Sequence, residues 1–323
     1  MTQSLTPGRW RGLKATSTRN NIFSILAFDQ RGTYRRMLPE GTSYEDAAQI
    51  KRDIVVALSF HASAVLLDNQ YGLKSVNDMN GGSGVLMSYE ESGYSGDSTY
   101  RGIKFEDDWT IAKIRNMGAS AVKILAYYNP QSGALAEEIE GVLRSVADEC
   151  HKYDMPLFLE PLSYSLDANV AKESAEFAKI RPQLVIDTAE RLSKTGADIL
   201  KMESPVDPNF NSDQKQWADT FAAVSKASTV PWVLLSAGVD FSTFAEQTKL
   251  ACQDGASGWL AGRAIWKEAV TMTSAERDAF LKGEAANRIQ SLVDIATATA
   301  RPWSDFYTAP ESSLTWYKSY NLQ

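Results

Sequence analysis

The sequence predicts a single (β/α)8 barrel, of the TIM type, with extra terminal helices, and three observations predict it. Eight short apolar runs recur along the chain, amphipathic stretches lie between several of them, and a polar or charged residue stands in or just beyond each run. Continuous runs of four to six apolar residues suit strands buried on both faces, as in a parallel sheet. Polar residues at the C-terminal ends of such strands are where a barrel carries its chemistry. The 323 residues fit one large barrel, and no internal repeat or Pro/Ser-rich linker divides them, so residues 1–323 are read as one domain.

The first run is FSILAF, ending in Asp29-Gln30-Arg31-Gly32. AVLLD ends at Asp68, GVLMS at Ser88, AVKIL surrounds Lys123, and PLFLE ends at Glu160. DILKME surrounds Lys201, PWVLLS ends at Ser236, and SGWLAGR ends at Gly262-Arg263. Strand-end landmarks at 29, 68, 88, 123, 160, 201, 236 and 262 are separated by 39, 20, 35, 37, 41, 35 and 26 residues. Most intervals hold a helix and two loops; the 20-residue interval is expected to hold a loop only. Helices are expected over residues 44–60, 107–118, 135–153 and 241–255, where apolar residues recur at three- and four-residue spacing. A doubly wound sheet would want a Gly-rich turn after the first strand, and AFDQRGT is not one.

Apolar residues at 44% are enough for a large core, which excludes disorder, and no apolar run is long enough for a membrane helix. The N-terminus has basic residues without an apolar segment behind them, so it is not a secretory signal, and a cytoplasmic location is expected. A net charge of −7 argues against a nucleic-acid partner but leaves room for a local basic pocket. Cys150 and Cys252 stand alone, without the spacing of a zinc site or a disulfide framework. The histidines are His61 and His151 alone, both expected at helix ends in structural or surface roles, so a three-histidine metal centre is impossible. Chemistry then falls to Lys, Glu, Asp, Ser or Tyr, with neither metal nor cofactor expected.

Lys123 and Lys201 both lie inside apolar strand runs, where a lysine is unfavourable unless paired or neutral. A desolvated lysine beside another cation can offer a free amine, the nucleophile of Schiff-base enzymes. Glu160, at the rim between them in sequence, is placed for proton transfer. Glu203, two residues beyond Lys201, shares its side of the strand and would tune or neutralise it. Ser236-Ala237-Gly238 and Ala261-Gly262-Arg263 close the last two strands, the place where barrels often bind phosphate. A structural reading remains for each: lysines paired only to hold the barrel, and a Gly-Arg turn with no ligand.

The same residues carry a resemblance. LAFDQRG (26–32), LLDNQYG (66–72), YEESGY (89–94), AVKILAYY (121–128), FLEPLSY (158–164), ILKMESPV (199–206), LLSAGV (234–239) and AGRAIW (261–266) together resemble the tagatose 1,6-bisphosphate aldolase family. These are class I aldolases that also include sulfofructose-1-phosphate aldolases. The resemblance implies Lys201 as the Schiff-base lysine and Glu160 as the proton-shuttling acid. It implies that Asp29 and Lys123 contact the sugar hydroxyls or assist proton transfer. Gln30, Arg31, Ser236, Gly238, Gly262 and Arg263 would line the phosphate and substrate sites, and Asp68 and Glu203 are placed with the substrate-binding residues. The expected partner is a small sugar phosphate, split to dihydroxyacetone phosphate and an aldehyde, and a homo-oligomer is expected. The tagatose enzymes commonly read KVEVP where this chain has KMESP, which leaves sulfofructose 1-phosphate as the alternative to tagatose 1,6-bisphosphate. A third reading is a non-catalytic barrel that senses sugar phosphates.

Overall fold

A computed structural model describes residues 3–93 and 97–320. Tyr94, the last residue of the YEESGY segment, lies outside the described residues. Eight parallel strands close into a barrel in sequence order: β1 (Phe23–Phe28), β2 (Ala64–Leu67), β3 (Gly84–Ser88), β4 (Ala121–Tyr127), β5 (Leu157–Leu162), β6 (Ile199–Met202), β7 (Trp232–Leu235) and β8 (Gly258–Ala261). Closure is through β8 against β1, with Leu260 opposite Ile25 and Ala261 opposite Leu26. All eight expected runs are strands; β4 and β5 each extend two residues further, to Tyr127 and Leu162.

Side chains alternate across a strand, and this alternation sorts the two cores. Phe23, Ile25, Ala27, Ala121, Phe158 and Ile199 belong to the apolar cluster inside the barrel, plugged from below by Leu5, Leu13 and Trp303. Leu26, Phe28, Val122, Leu159 and Leu200 belong to the cluster under the surrounding helices. Continuing the inward parity by two residues reaches Asp29, Lys123, Glu160 and Lys201. The strands therefore aim all four into the top of the barrel, above its last apolar layer.

Beside the short helices α2 (Gly32–Met37), α4 (Leu73–Asp78) and α5 (Ile111–Asn116), the long helices follow the apolar periodicity: α3 (Tyr44–Leu58), α6 (Ala134–Lys152), α7 (Ala175–Leu192), α8 (Gln214–Ala227) and α9 (Phe241–Gln253). Several begin at side-chain caps, as at Ser43, Ser174 and Asp240, whose oxygens accept from backbone N–H groups of the first turn. The helix expected over 107–118 is shorter, Ile111–Asn116, because Thr110 caps it and delays its start. The 20-residue interval is a correction: it holds a six-residue helix, Leu73–Asp78, packed against α3. Asp68 turns the chain so tightly that helix can resume at residue 73; its carboxylate accepts from the N–H of Gln70 and Tyr71.

The extra terminal helices are present. α1 (Pro7–Thr16) lies across the bottom of the barrel, with proline at its first position, where the missing N–H has no helical partner to lose. Gly12 allows this approach, since a Cβ there would stand 2.6 Å from the Ser120 carbonyl oxygen. Of the C-terminal helices, Ser274–Phe280 packs against α3 and Ala286–Thr299 against α9 and β8, and Tyr307–Thr308 pairs in parallel with Gln3–Ser4. His61 ends a short 3-10 turn and is exposed. His151 lies in the last turn of α6, its Nε2 3.3 Å from buried Asp198. Both occupy the helix ends expected of them. No helix among the described residues is long and apolar enough to cross a membrane.

Candidate active site

Five strand ends bring six charged side chains together at the top of the barrel. Lys201 Nζ on β6 lies 2.7 Å from Glu160 Oε2 on β5. The same oxygen is 2.9 Å from Lys123 Nζ on β4, so one carboxylate bridges both lysines. Lys123 also donates to Asp29 Oδ2 at 2.8 Å and to Glu90 Oε1 at 3.0 Å. Glu90 is fixed in turn by the Leu125 N–H, 3.0 Å from Oε2. With Arg31 against Glu90 at 3.4 Å, three cations face three carboxylates, and the buried cluster is neutral as a whole.

The two lysines differ in what holds them. Burial alone would lower Lys123, but Asp29, Glu160 and Glu90 outweigh it and hold its ammonium well above the ordinary lysine range. The three carboxylates therefore favour the ammonium form of Lys123, which is not nucleophilic. Among the described residues Lys201 has one carboxylate partner, Glu160, and shares it. Burial would raise Asp29, but the ammonium groups of Lys123 and Lys201 hold it below the usual carboxylate range. Its other oxygen, Oδ1, is buried and has no partner among the described residues.

Above this cluster the barrel opens into two lobes. One, of about 290 Å³, is lined by Lys201, Glu203, Ser236, Gly238 and Gly262; the other, of about 540 Å³, by Asp29, Arg31, Glu90 and Lys123. Gln30, Glu160 and Arg263 line both. In the first lobe Gly262 N donates to Ser236 Oγ at 3.3 Å, tying the ends of β7 and β8. Gly238, at φ +88°, leaves space for the Arg263 guanidinium, whose Cζ would stand 2.9 Å from an added Cβ. Ala237 beside it holds φ +49°, an uncommon conformation for a residue with a side chain, and accepts from Arg263 Nη2 at 3.3 Å. Two strand-end turns, a guanidinium and a serine thus face a cavity whose floor carries Lys201.

The family model for DeoC/LacD family aldolases matches residues 23–268, from the first residue of β1 to just past β8. The chain belongs to the DeoC/LacD aldolase family. It is 32% identical to tagatose 1,6-diphosphate aldolase of Lactococcus lactis subsp. lactis, over 93% of this chain and 99% of that protein. It is 33% identical to tagatose 1,6-diphosphate aldolase 2 of Enterococcus faecalis, over 93% of this chain and 97% of the relative. Among solved structures, an archaeal fructose 1,6-bisphosphate aldolase superposes with a TM-score of 0.60 at 19% identity, covering 89% of this chain and 98% of that one. The fructose-bisphosphate aldolase of Slackia heliotrinireducens gives 0.66 at 16% identity, covering 92% and 89%; both likenesses concern the fold. The protein is an aldolase built on a closed eight-stranded barrel.

Of the residues expected at the aldolase site, Asp29, Gln30, Lys123, Glu160, Lys201, Ser236, Gly238, Gly262 and Arg263 line the two lobes. Asp68 does not. It is wholly buried against the ammonium of Lys51 on α3, and its other oxygen holds the turn at Gln70 and Tyr71. Glu203 lines the first lobe without touching Lys201, as its oxygens take the Ser163 N–H, Lys172 and Arg181. Burial opposes ionisation there, but Lys172 and Arg181 bring its carboxyl down to about 2. Arg31 lines the second lobe with its guanidinium engaged by Asn69, Glu90 and Glu106. Ser204, which departs from the usual family pattern, donates to the Val206 carbonyl and shapes the turn after β6. Glu90 and Lys51 went unassigned from sequence. Glu90 follows β3 at the inward parity of Leu86 and Ser88, and Lys51 occupies the buried stripe of α3, so each left a pattern that could have exposed it.

Proposed function

We propose that this aldolase is a class I enzyme that forms a Schiff base on Lys201 and splits tagatose 1,6-bisphosphate to dihydroxyacetone phosphate and glyceraldehyde 3-phosphate. The observation that carries the chemistry is the shared carboxylate: Glu160 Oε2 lies 2.7 Å from Lys201 Nζ, while Lys123 is fixed as a cation by three carboxylates. The substrate assignment is supported by the tagatose 1,6-diphosphate aldolases that match nearly the whole chain.

Glu160 first takes a proton from the Lys201 ammonium, and the free amine adds to the C2 carbonyl. Glu160 returns that proton to the carbinolamine hydroxyl, which leaves as water, and a protonated imine remains. The imine is an electron sink. Glu160, again a carboxylate, takes the C4 hydroxyl proton; the C3–C4 bond breaks, its electrons move into the imine, and the aldehyde leaves. Protonation of the enamine at C3 by Glu160 and hydrolysis release dihydroxyacetone phosphate and regenerate Lys201. Asp29, held as a carboxylate by the ammonium groups of Lys123 and Lys201, has in Oδ1 an oxygen that can accept from a substrate hydroxyl. Lys123 keeps Asp29 and Glu160 in place and supplies positive charge where alkoxide character develops. Ser236, Gly238, Gly262 and Arg263 take the C1 phosphate, with Gln30 at the junction of the lobes and Arg31 in the second lobe. No step calls on a metal ion.

The test is a triose-product assay over a panel of ketose phosphates, with and without EDTA. Cleavage of tagatose 1,6-bisphosphate that EDTA leaves unchanged is expected. Cleavage restricted to sulfofructose 1-phosphate would overturn the substrate, and loss of activity in EDTA would overturn the mechanism.

A further inference from the structure

Lys51 is a fully buried lysine that no step above uses. It lies on α3, outside the barrel wall, among the rings of Phe28, Tyr34 and Tyr71. Its ammonium has three protons and three acceptors: the Phe28 carbonyl at 2.8 Å, the Gln30 carbonyl at 3.2 Å and the Asp68 carboxylate. Burial opposes the charge and lowers this lysine, while Asp68 sustains it. The two carbonyls belong to the residues immediately before and after Asp29. β1 ends at Phe28, so beyond that point regular strand pairing no longer constrains the backbone. Asp68 ties the arrangement to the end of β2 through the N–H groups of Gln70 and Tyr71.

The role given to Asp29 requires a defined direction. Its Oδ2 must stay on Lys123 while its Oδ1 is left without a partner among the described residues. We infer that Lys51, neutralised by Asp68, is a positioning residue for the reaction: by gripping the carbonyls on both sides of Asp29 it sets the direction of the Asp29 carboxylate. The inference rests on the function proposed above for Asp29. A cation reaching in from the helix layer suits the task, because one ammonium donates to the carbonyls on both sides of Asp29 at once.

A purely structural ion pair would affect stability and would act independently of Asp29, so a double-mutant cycle separates the two roles. The variant Lys51→Met with Asp68→Leu removes both charges together and leaves no unpaired buried ion. Turnover of tagatose 1,6-bisphosphate is expected to fall at least about tenfold with KM changed less than about threefold, and borohydride should still trap the substrate on Lys201. In an Asp29→Asn background the same pair of changes should lower kcat no further. Equal fold losses in the two backgrounds, or wild-type kcat in the Lys51/Asp68 variant, would overturn the inference. Full turnover in Asp29→Asn alone would instead sink the role of Asp29, and the positioning claim with it. Should the paired variant not fold, Lys51→Gln is read by the same cycle, since an amide can keep one carbonyl contact; additive losses there count equally against the proposal.

Discussion

Replacing Glu160 by glutamine removes the one carboxylate that touches both lysines, at 2.7 Å from Lys201 and 2.9 Å from Lys123, while keeping the side chain's shape. Lys123 retains Asp29 and Glu90, so its charge stays compensated. Lys201 loses its ion-pair partner. Removing one partner of a buried pair costs about 3–5 kcal/mol when the other charge persists. The variant is therefore expected to melt at a lower temperature but cooperatively. Glutamine cannot give or take a proton, and general acid–base catalysis contributes about 10²–10⁴-fold. At about 1.4 kcal/mol per decade, the barrier rises by roughly 3–5 kcal/mol. The assay is steady-state release of triose phosphate, paired with borohydride trapping. Expected is a kcat lowered by that factor with Lys201 still labelled, though more slowly. Turnover within threefold of wild type in a folded Glu160→Gln variant would refute the reasoning and pass the proton transfers to another group.

Arg263→Ala removes charge-assisted contacts to the C1 phosphate worth roughly 1.5–3 kcal/mol, so KM for ketose 1-phosphates should rise about 10- to 100-fold, measured by initial rates; an unchanged KM places the phosphate elsewhere. Gly238→Ala puts a Cβ 2.9 Å from the Arg263 guanidinium carbon in a backbone with φ +88°, and should raise KM in the same direction. Glu203, lowered from 4.5 to about 2, contributes stability that is fully present above pH 4.5 and is lost as pH falls toward 2. Urea unfolding of wild type and Glu203→Gln across that window should converge by at most on the order of 3 kcal/mol; parallel pH profiles would contradict this.

The barrel was legible because strands buried on both faces leave long apolar runs; seven of the eight strands end within two residues of their landmarks, and β4 runs four past Lys123 to Tyr127. The charged floor of the cavity was legible for a related reason: a lysine or glutamate inside such a run has few tolerable environments, and Lys123, Glu160 and Lys201 proved to be one another's neighbours. Residues beyond the strands were read less well. Asp68 ends its run as Asp29 does, yet it faces a lysine on a helix, and which helix covers a strand end is a tertiary fact. Glu203 was expected to tune or neutralise Lys201, but Arg181, from the buried stripe of α7, and Lys172 claim it instead. The short helix Leu73–Asp78 is not legible in a 20-residue interval, because it fits there only through the Asp68 turn, which shortens the loop a helix needs.

In the proposed reaction Lys201, and not Lys123, becomes covalently bonded to substrate. Incubation with dihydroxyacetone phosphate and borohydride, followed by peptide mass spectrometry, tests it directly. A reduced adduct on the peptide carrying Lys201, with parallel loss of activity and absent from Lys201→Ala, is predicted. An adduct on Lys123, or none while the enzyme still cleaves its substrate, would contradict the account.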